Sequence, residues 1–467
     1  MPGTYRPDPR YLDLGTGFAD AVEPARFPSH TLRFRNSPWA DRIGLGGLSD
    51  EAWIEHFARF QPLPDNLPTP LALRYHGHQF TTYNPQLGDG RGFLFAQLRD
   101  HRDRLLDLGT KGSGPTPYSR GGDGRLTLKG GIREILASEL LEARGVSTCK
   151  TLSLIETGES LQRNDEPSPT RSGVMVRLSH SHIRIGTFQR YQWYNDRQRM
   201  QTLLDYCIEH FYPQASSPVE FLTAITDACA NTAAAWTVSG FVHGVLNTDN
   251  INITGESFDY GPWRFLPTLD QKFTAAYFDG GGLYAFGRQP AAVLWALEQL
   301  ARSLALLGDS LALGRVLSGF EERYRSHLTR RFVQRLGLSS AGEEADRALV
   351  GACLTFLDGH TLGYDQFFFD WYGGLISMDR AQHSPAAAFY QEERFQPVRT
   401  ALGGWSAAHP DRLAHPHLQG EHPCSMLLSE VEALWSAIDL ADAWQPLEAK
   451  IAQIRAVGAL HRGEPWS

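Results

Sequence analysis

His243-Gly244-Val245-Leu246-Asn247-Thr248-Asp249-Asn250, followed by Asp259-Tyr260-Gly261, is the most informative segment of the chain. It gathers two acids and an amide in one short, glycine-punctuated segment. Asn250 and Asp259 are oxygen ligands of the kind that suit Mg²⁺, a hard ion that takes a few protein oxygens and completes its shell with water and phosphate. Mn²⁺ is the alternative ion. Asp249, beside Asn250, is then placed to accept the proton of an incoming hydroxyl, provided it comes within hydrogen-bond reach. Asn and Asp are also ordinary turn residues, so the frame around them has to carry the reading.

That frame follows the order of a protein kinase, in which a His-Arg-Asp tripeptide precedes an Asn by a fixed interval and an Asp-Phe-Gly tripeptide comes after. His243 and Asn250 keep the kinase spacing, but Val245 stands where the kinase base would be. A valine cannot take a proton. Either the chain is an inactive kinase or the chemistry has moved to Asp249, and the remaining residues favour the second reading. Gly88-Asp89-Gly90-Arg91-Gly92 precedes the apolar run Phe93 to Leu98; it reads as a turn entering a strand, where glycine lets backbone N–H groups approach phosphate. Alone such a cluster is an ordinary turn. Lys111 follows the apolar run Leu105 to Leu108, and an isolated lysine is usually solvated. Glu134 changes that reading. It lies on a segment whose Ile132, Ile135, Leu136, Glu139 and Leu140 repeat at helical spacing until Gly145, and a strand lysine followed by a helix glutamate is the kinase ion pair. Arg177 and Arg184 flank Leu178 to Ile183; their planar forks match phosphate oxygens two at a time.

The blocks Tyr75 to Phe80, Asn84 to Arg91, Lys111 to Arg120, Gly122-Asp123-Gly124-Arg125, Ile132-Arg133-Glu134, Ser181 to Arg184, His243 to Asn250 and Asp259 to Pro262 together resemble the selenoprotein O family, also called SelO or YdiU. Long ordered matches are far more specific than one short motif. The resemblance implies a two-lobed protein-kinase-like α+β fold, with a mainly β N-lobe, a helical C-lobe and a C-terminal helical extension. It also implies a protein adenylyltransferase that binds ATP reversed and transfers AMP to Ser, Thr or Tyr hydroxyls of protein substrates. Carried over, Asp249 looks like the base, and Asn250 and Asp259 like the metal ligands. Gly88, Gly90, Arg91, Lys111, Asp123, Gly124, Arg177 and Arg184 look like nucleotide contacts, with Glu134 supporting Lys111. Many members carry cysteine or selenocysteine near the C-terminus and a cysteine after the Asp-Tyr-Gly-Pro block. Here the corresponding stretches read Gly463 to Ser467 and Thr274-Ala275-Ala276-Tyr277, without a thiol, so a redox link between them is not expected.

With 467 residues, 42% of them hydrophobic and 21% charged, the chain is long enough for a large two-lobed domain. A net charge of -8 without a lysine-rich run argues against nucleic acid or a membrane surface as partner. Five cysteines without CxxC spacing read as reduced thiols, and Met1 to Phe27 holds no apolar leader segment, so a cytoplasmic location is expected. Before residue 190 short apolar runs separated by turns predict strands, with one clear helix around Glu134. Later runs predict helices over Met200 to Phe211, Val219 to Val238, Pro290 to Leu307 and Leu311 to Leu336. The expected division is a nucleotide-binding lobe over 1–190, a helical lobe with the catalytic loop over 191–360 and a divergent extension over 361–467. Gln162 to Ser172 reads as a surface loop, and the histidine-rich tract His409 to Cys424 as solvated rather than metal-binding. Phosphotransfer with Asp249 as a displaced base, or an ATP-binding scaffold without catalysis, are the alternative functions.

Overall fold

The computed structural model describes residues 3–164 and 166–461. Its strands are β1 (Ala19–Ala21), β2 (Thr31–Arg35), β3 (Leu71–Leu73), β4 (Gly77–Gln79), β5 (Thr82–Asn84), β6 (Gly92–Arg99), β7 (Leu105–Lys111), β8 (Leu126–Thr127), β9 (Lys150–Leu161), β10 (Thr170–Ser179), β11 (Phe241–Val242) and β12 (Arg264–Phe265). The main sheet runs β1-β3-β6-β7-β10-β9-β2, with β8 paired to β10. Every paired strand is antiparallel. The fold is α+β, as expected.

The central strands β6, β7 and β10 are buried almost throughout because both faces are covered. Leu94, Leu105 and Met175 pack with Ile132, Ile135 and Leu136 of the helix Leu128–Ala143. Alternate residues Phe93, Phe95 and Val176 pack on Trp39, Trp53 and Phe57, as the two-residue side-chain period of a strand requires. The helix Leu128–Ala143 starts where the Thr127 side chain accepts the Gly130 N–H and stops before Gly145, whose φ is 78°, a conformation glycine adopts without strain. This pins Glu134 opposite β7. In register, Lys111 is flanked by Gly92 and Met175.

Beyond the sheet the chain is helical. Arg197–Phe211, Pro218–Ser239 and Gln289–Leu304 match the expected segments, and residues 243–250 fall between the last two. The run read as one helix over 311–336 is two helices, Ser310–Leu317 and Phe320–Arg335, separated at Ser318-Gly319, where glycine weakens helix continuity. Three further short helices, Ser37–Arg42, Asp50–Phe57 and Ile185–Trp193, occur before residue 200. The loop expected over 162–172 gives way to β10 at Thr170. The thiol-free stretch 463–467 lies outside the described residues.

The helices Leu428–Ala441 and Gln445–His461 fold back onto Leu128–Ala143. Arg455 donates to both oxygens of Glu139 at 2.6 and 2.8 Å, and Lys129 meets Glu432 at 2.8 Å. Asp442 accepts from Arg171 at 2.8 Å and from Arg33 at 3.3 Å. One apolar cluster accordingly runs from Tyr11 through the Glu134 helix to Val457. All five cysteines are buried and free. No helix among the described residues is long and apolar enough to cross a membrane.

Candidate active site

β11 and β12 pair antiparallel and hold residues 243–263 between them. His243 lies buried at the base of this segment, with its ring Nε2 2.9 Å from the Phe258 carbonyl and its backbone N–H donating to Gln289 Oε1. The loop is also tied to the β4–β5 hairpin. Asn247 Oδ1 accepts from Phe80 N–H at 3.0 Å and from the Tyr284 hydroxyl at 2.7 Å, while Thr248 Oγ1 accepts from His78 N–H at 2.8 Å and donates to Gln189 Oε1. Thr248–Asn250 form one 3₁₀ turn. Its neighbours being so anchored, Asp249 has a fixed place. Its Oδ1 is buried with no hydrogen-bond partner among the described residues. Burial, opposed by Arg184 and aided by Asp259, pushes its carboxyl up to about 6.

Asp259 occupies a left-handed backbone conformation, with φ 63°, and lies at the centre of the ion cluster. Lys111 Nζ donates to Asp259 Oδ1 at 2.7 Å and also to Glu134. Arg177 lies 3.4 Å from both carboxylates. Burial pushes the Asp259 carboxyl upward, but Lys111, Arg177 and Arg184 together hold it well below the usual carboxylate range. Asn250 Nδ2 donates to Asp259 Oδ2 at 3.0 Å, so the two residues read as metal ligands are adjacent. Arg184 donates to the Asp249 backbone carbonyl at 3.2 Å, lies 3.4 Å from Asp89 Oδ1 and stacks over Tyr75 with its guanidinium carbon 4.3 Å from the ring centre.

These groups face a cavity of about 810 Å³ lined by Gly88, Gly90, Arg91, Lys111, Asp123, Gly124, Arg177, Arg184, Asp249 and Asp259. Glu134 and Asn250 stand behind this lining and act on it through Lys111 and Asp259. The glycines differ in what they do. A Cβ on Gly88 would stand 2.3 Å from the Tyr118 ring, and one on Gly124, with φ +68°, 2.1 Å from Gly114 backbone. Both need glycine for close packing of the loop that walls the cavity, whatever they contact from inside it. Asp123 is half exposed, accepts from Arg163 at 2.8 Å and caps the Arg125 N–H at 2.9 Å. Arg91 is exposed at the rim.

Several contributors were not singled out from sequence. Asp89 accepts the Leu73 N–H at 3.1 Å as well as facing Arg184. Tyr118 closes over Gly88, and a Cβ on Gly77 would stand 3.3 Å from Asp249 Oδ1. All three lie inside the blocks quoted above, so position within a block was the available signal. His182 lines the cavity, whereas His180, its neighbour but one, is half-buried against Phe211 elsewhere. In the histidine-rich tract, His417 packs against Phe369 and Cys424 is buried. No group of three or more His, Cys, Asp and Glu side chains among the described residues is gathered for a metal.

A cavity walled by buried arginines, a lysine held between two carboxylates and an unpartnered carboxylate belongs to the class of sites that handle phosphate esters. Sequence comparison identifies the family: residues 4–455 match Protein adenylyltransferase SelO, and the chain belongs to that family. Its relatives include a protein nucleotidyltransferase YdiU of Synechocystis sp., 42% identical over 477 aligned residues that cover 96% of this chain and 98% of the relative. Its counterpart in Gloeobacter violaceus is 44% identical over 96% of this chain and 94% of its own length. That of Vibrio cholerae is 35% identical over 77% and 73%. The family expected from the motifs is thus borne out.

Proposed function

We propose that this protein transfers AMP from ATP to Ser, Thr or Tyr hydroxyls of protein substrates. In this reading the hydroxyl oxygen attacks the α-phosphorus, the α–β phosphoanhydride bond breaks and pyrophosphate leaves. The hydroxyl proton passes to Asp249 Oδ1. Membership of the adenylyltransferase family supports the reaction class, and the observation that carries the assignment of the base is the buried, unpartnered Oδ1 of Asp249 at the cavity wall. Val245, at the kinase base position, offers nothing to accept a proton.

Asn250 and Asp259 would hold Mg²⁺ or Mn²⁺. Their adjacency fits an ion that takes a few protein oxygens and draws the rest of its shell from phosphate and water. When bound, such an ion neutralises developing phosphate charge and orients the α-phosphoryl group. Lys111, fixed by Glu134, with Arg177 and Arg184, would bind the phosphates of a nucleotide lying reversed relative to a kinase, while Gly88, Gly90, Arg91, Asp123 and Gly124 would close over it. The sheet with its covering helix and the helical half with residues 243–261 support a kinase-like two-lobed arrangement. We divide it at 1–190 and 191–360, with 361–467 as the extension.

The test is to incubate the protein with Mg²⁺, a cell lysate and ATP labelled at the α or the γ phosphate, and follow label that survives denaturation. Label from α alone is the expected result. Label from γ alone would make this a phosphotransferase with a displaced base, and label from neither would leave a nucleotide-binding scaffold.

A further inference from the structure

A second cavity, of about 680 Å³, shares no lining residue with the first. It lies where the end of the helix Leu128–Ala143 meets the helices Pro218–Ser239 and Phe320–Arg335. Its size falls in the range of small-molecule sites, roughly 300–1,000 Å³. Its chemistry is cationic: Arg104, Arg144, Lys150, Arg330, Arg331 and Arg335 line it, against Glu256 as the one lining carboxylate among the described residues.

The carboxylates nearby do not balance these charges. Asp100 pairs with Arg104 at 2.7 Å, and Glu142 reaches Lys150 only at 3.7 Å. A single Asp365 serves both Arg144, at 2.7 Å, and Arg335, at 2.6 Å. Arg331 donates only to neutral oxygens, Asn231 Oδ1 at 2.7 Å and the Gly145 carbonyl at 3.0 Å. Arg330 donates to His327 Nδ1 at 2.7 Å. Among the described residues neither forms a salt bridge. Burial, and then repulsion from Arg330, pushes Arg331 down to about 10, and burial followed by Arg144 lowers Arg335. Arg331 and Arg335 are cations held close together in partial burial, with the exposed Arg330 beside them, a costly arrangement unless a counter-anion arrives. A second observation points the same way. The Ser179 hydroxyl, on a residue that lines the same cavity and is 1% exposed, has no hydrogen-bond partner among the described residues, and a buried hydroxyl normally has one.

We propose that this cavity is a second anion-binding site, separate from the nucleotide pocket, which takes a small phosphate-bearing molecule. Phosphate oxygens would answer the arginine forks two at a time, supply the missing counter-charge and give the Ser179 hydroxyl an acceptor. Carboxylates match the same forks, but the excess of cations over carboxylates favours a ligand with more than one charge.

Inorganic pyrophosphate is the probe. Titrated calorimetrically onto the full chain without divalent metal, it should bind with an affinity that Arg331→Gln lowers about tenfold, the scale of one or two charge-assisted hydrogen bonds. Arg330→Gln should lower it several-fold, and Lys111→Ala, in the other cavity, should leave this binding in place. Arg331 also braces Gly145, so its variant could lose structure; Arg330 is exposed, and its variant keeps the test decisive. Absence of pyrophosphate binding, equal affinity in Arg330→Gln and the unaltered protein, or loss of all binding in Lys111→Ala would overturn the proposal.

Discussion

The two cavities are of similar volume and both are rich in arginine, yet their charges are arranged in opposite ways. In the cavity proposed to hold the nucleotide, each buried cation is tied to a carboxylate: Lys111 to Glu134 and Asp259, Arg177 to the same two, Arg184 to Asp89. In the other, Arg330 and Arg331 have no acid among the described residues and two arginines divide one. A closed network holds its members in place before substrate arrives, which is what chemistry at a fixed phosphorus requires. An open one keeps its attraction for whatever anion enters. On the two proposals made above, the contrast separates a site organised for reaction from one organised for capture.

The largest loss is expected at Asp249. Asp249→Ala should lower α-label transfer by about 10²–10⁴-fold while affinity for a non-hydrolysable ATP analogue stays within about threefold; transfer near the original rate would remove Asp249 from its role. Glu134→Gln tests the closed network itself. With one acid fewer, Lys111 and Arg177 should lose their fixed positions and kcat/KM should fall roughly 10–100-fold, whereas unaltered kinetics would show that Asp259 alone holds the lysine.

Glu256 probes the open cavity through pH. Burial pushes its carboxyl up to about 7, above the ordinary value near 4.3, so ionisation disfavours the folded state. Stability therefore falls as pH rises from the ordinary carboxylate range through about 7. Glu256→Gln, which still accepts the His180 N–H, should match the original protein at pH 4 and exceed it at pH 8, by up to about 3 kcal/mol. Melting curves that stay superimposed at both pH values would refute the buried environment assigned to Glu256. The smallest effect is expected at Arg455→Ala, which strips a partly exposed partner from buried Glu139 and should cost about 1–2 kcal/mol. Adding Glu139→Gln should recover part of that loss; strict additivity would show that the pair does not couple.

What could be read in advance was what lies close along the chain. Lys111 at the end of a strand, Glu134 on a helical period and the cluster from His243 to Asp259 each carry their meaning in local spacing, and the structure brings them within hydrogen-bond reach. The break at Gly319 was hidden because the apolar period continues across it while the backbone does not. Asp89, Tyr118 and Gly77 owe their places to contacts with residues far away in sequence, as does the pairing of Arg455 with Glu139, 316 positions apart. The second cavity was least legible of all. Its cations come from four separate segments, and each alone looks like an ordinary surface arginine or lysine.

The return of the helices Leu428–Ala441 and Gln445–His461 to the Glu134 helix bears on how the protein is made. During synthesis the sheet and Lys111 leave the ribosome early, and at roughly 5–20 residues per second the segment that carries Arg455 follows only after a delay on the order of tens of seconds. Until then Glu139 has no arginine and the outer side of its helix has no cover, so an unfinished chain holds the glutamate that orients Lys111 on an unsupported element. On the role proposed for Lys111, catalytic competence would wait for the helices Leu428–Ala441 and Gln445–His461 to dock, and a product cut before Leu428 is expected to lose activity.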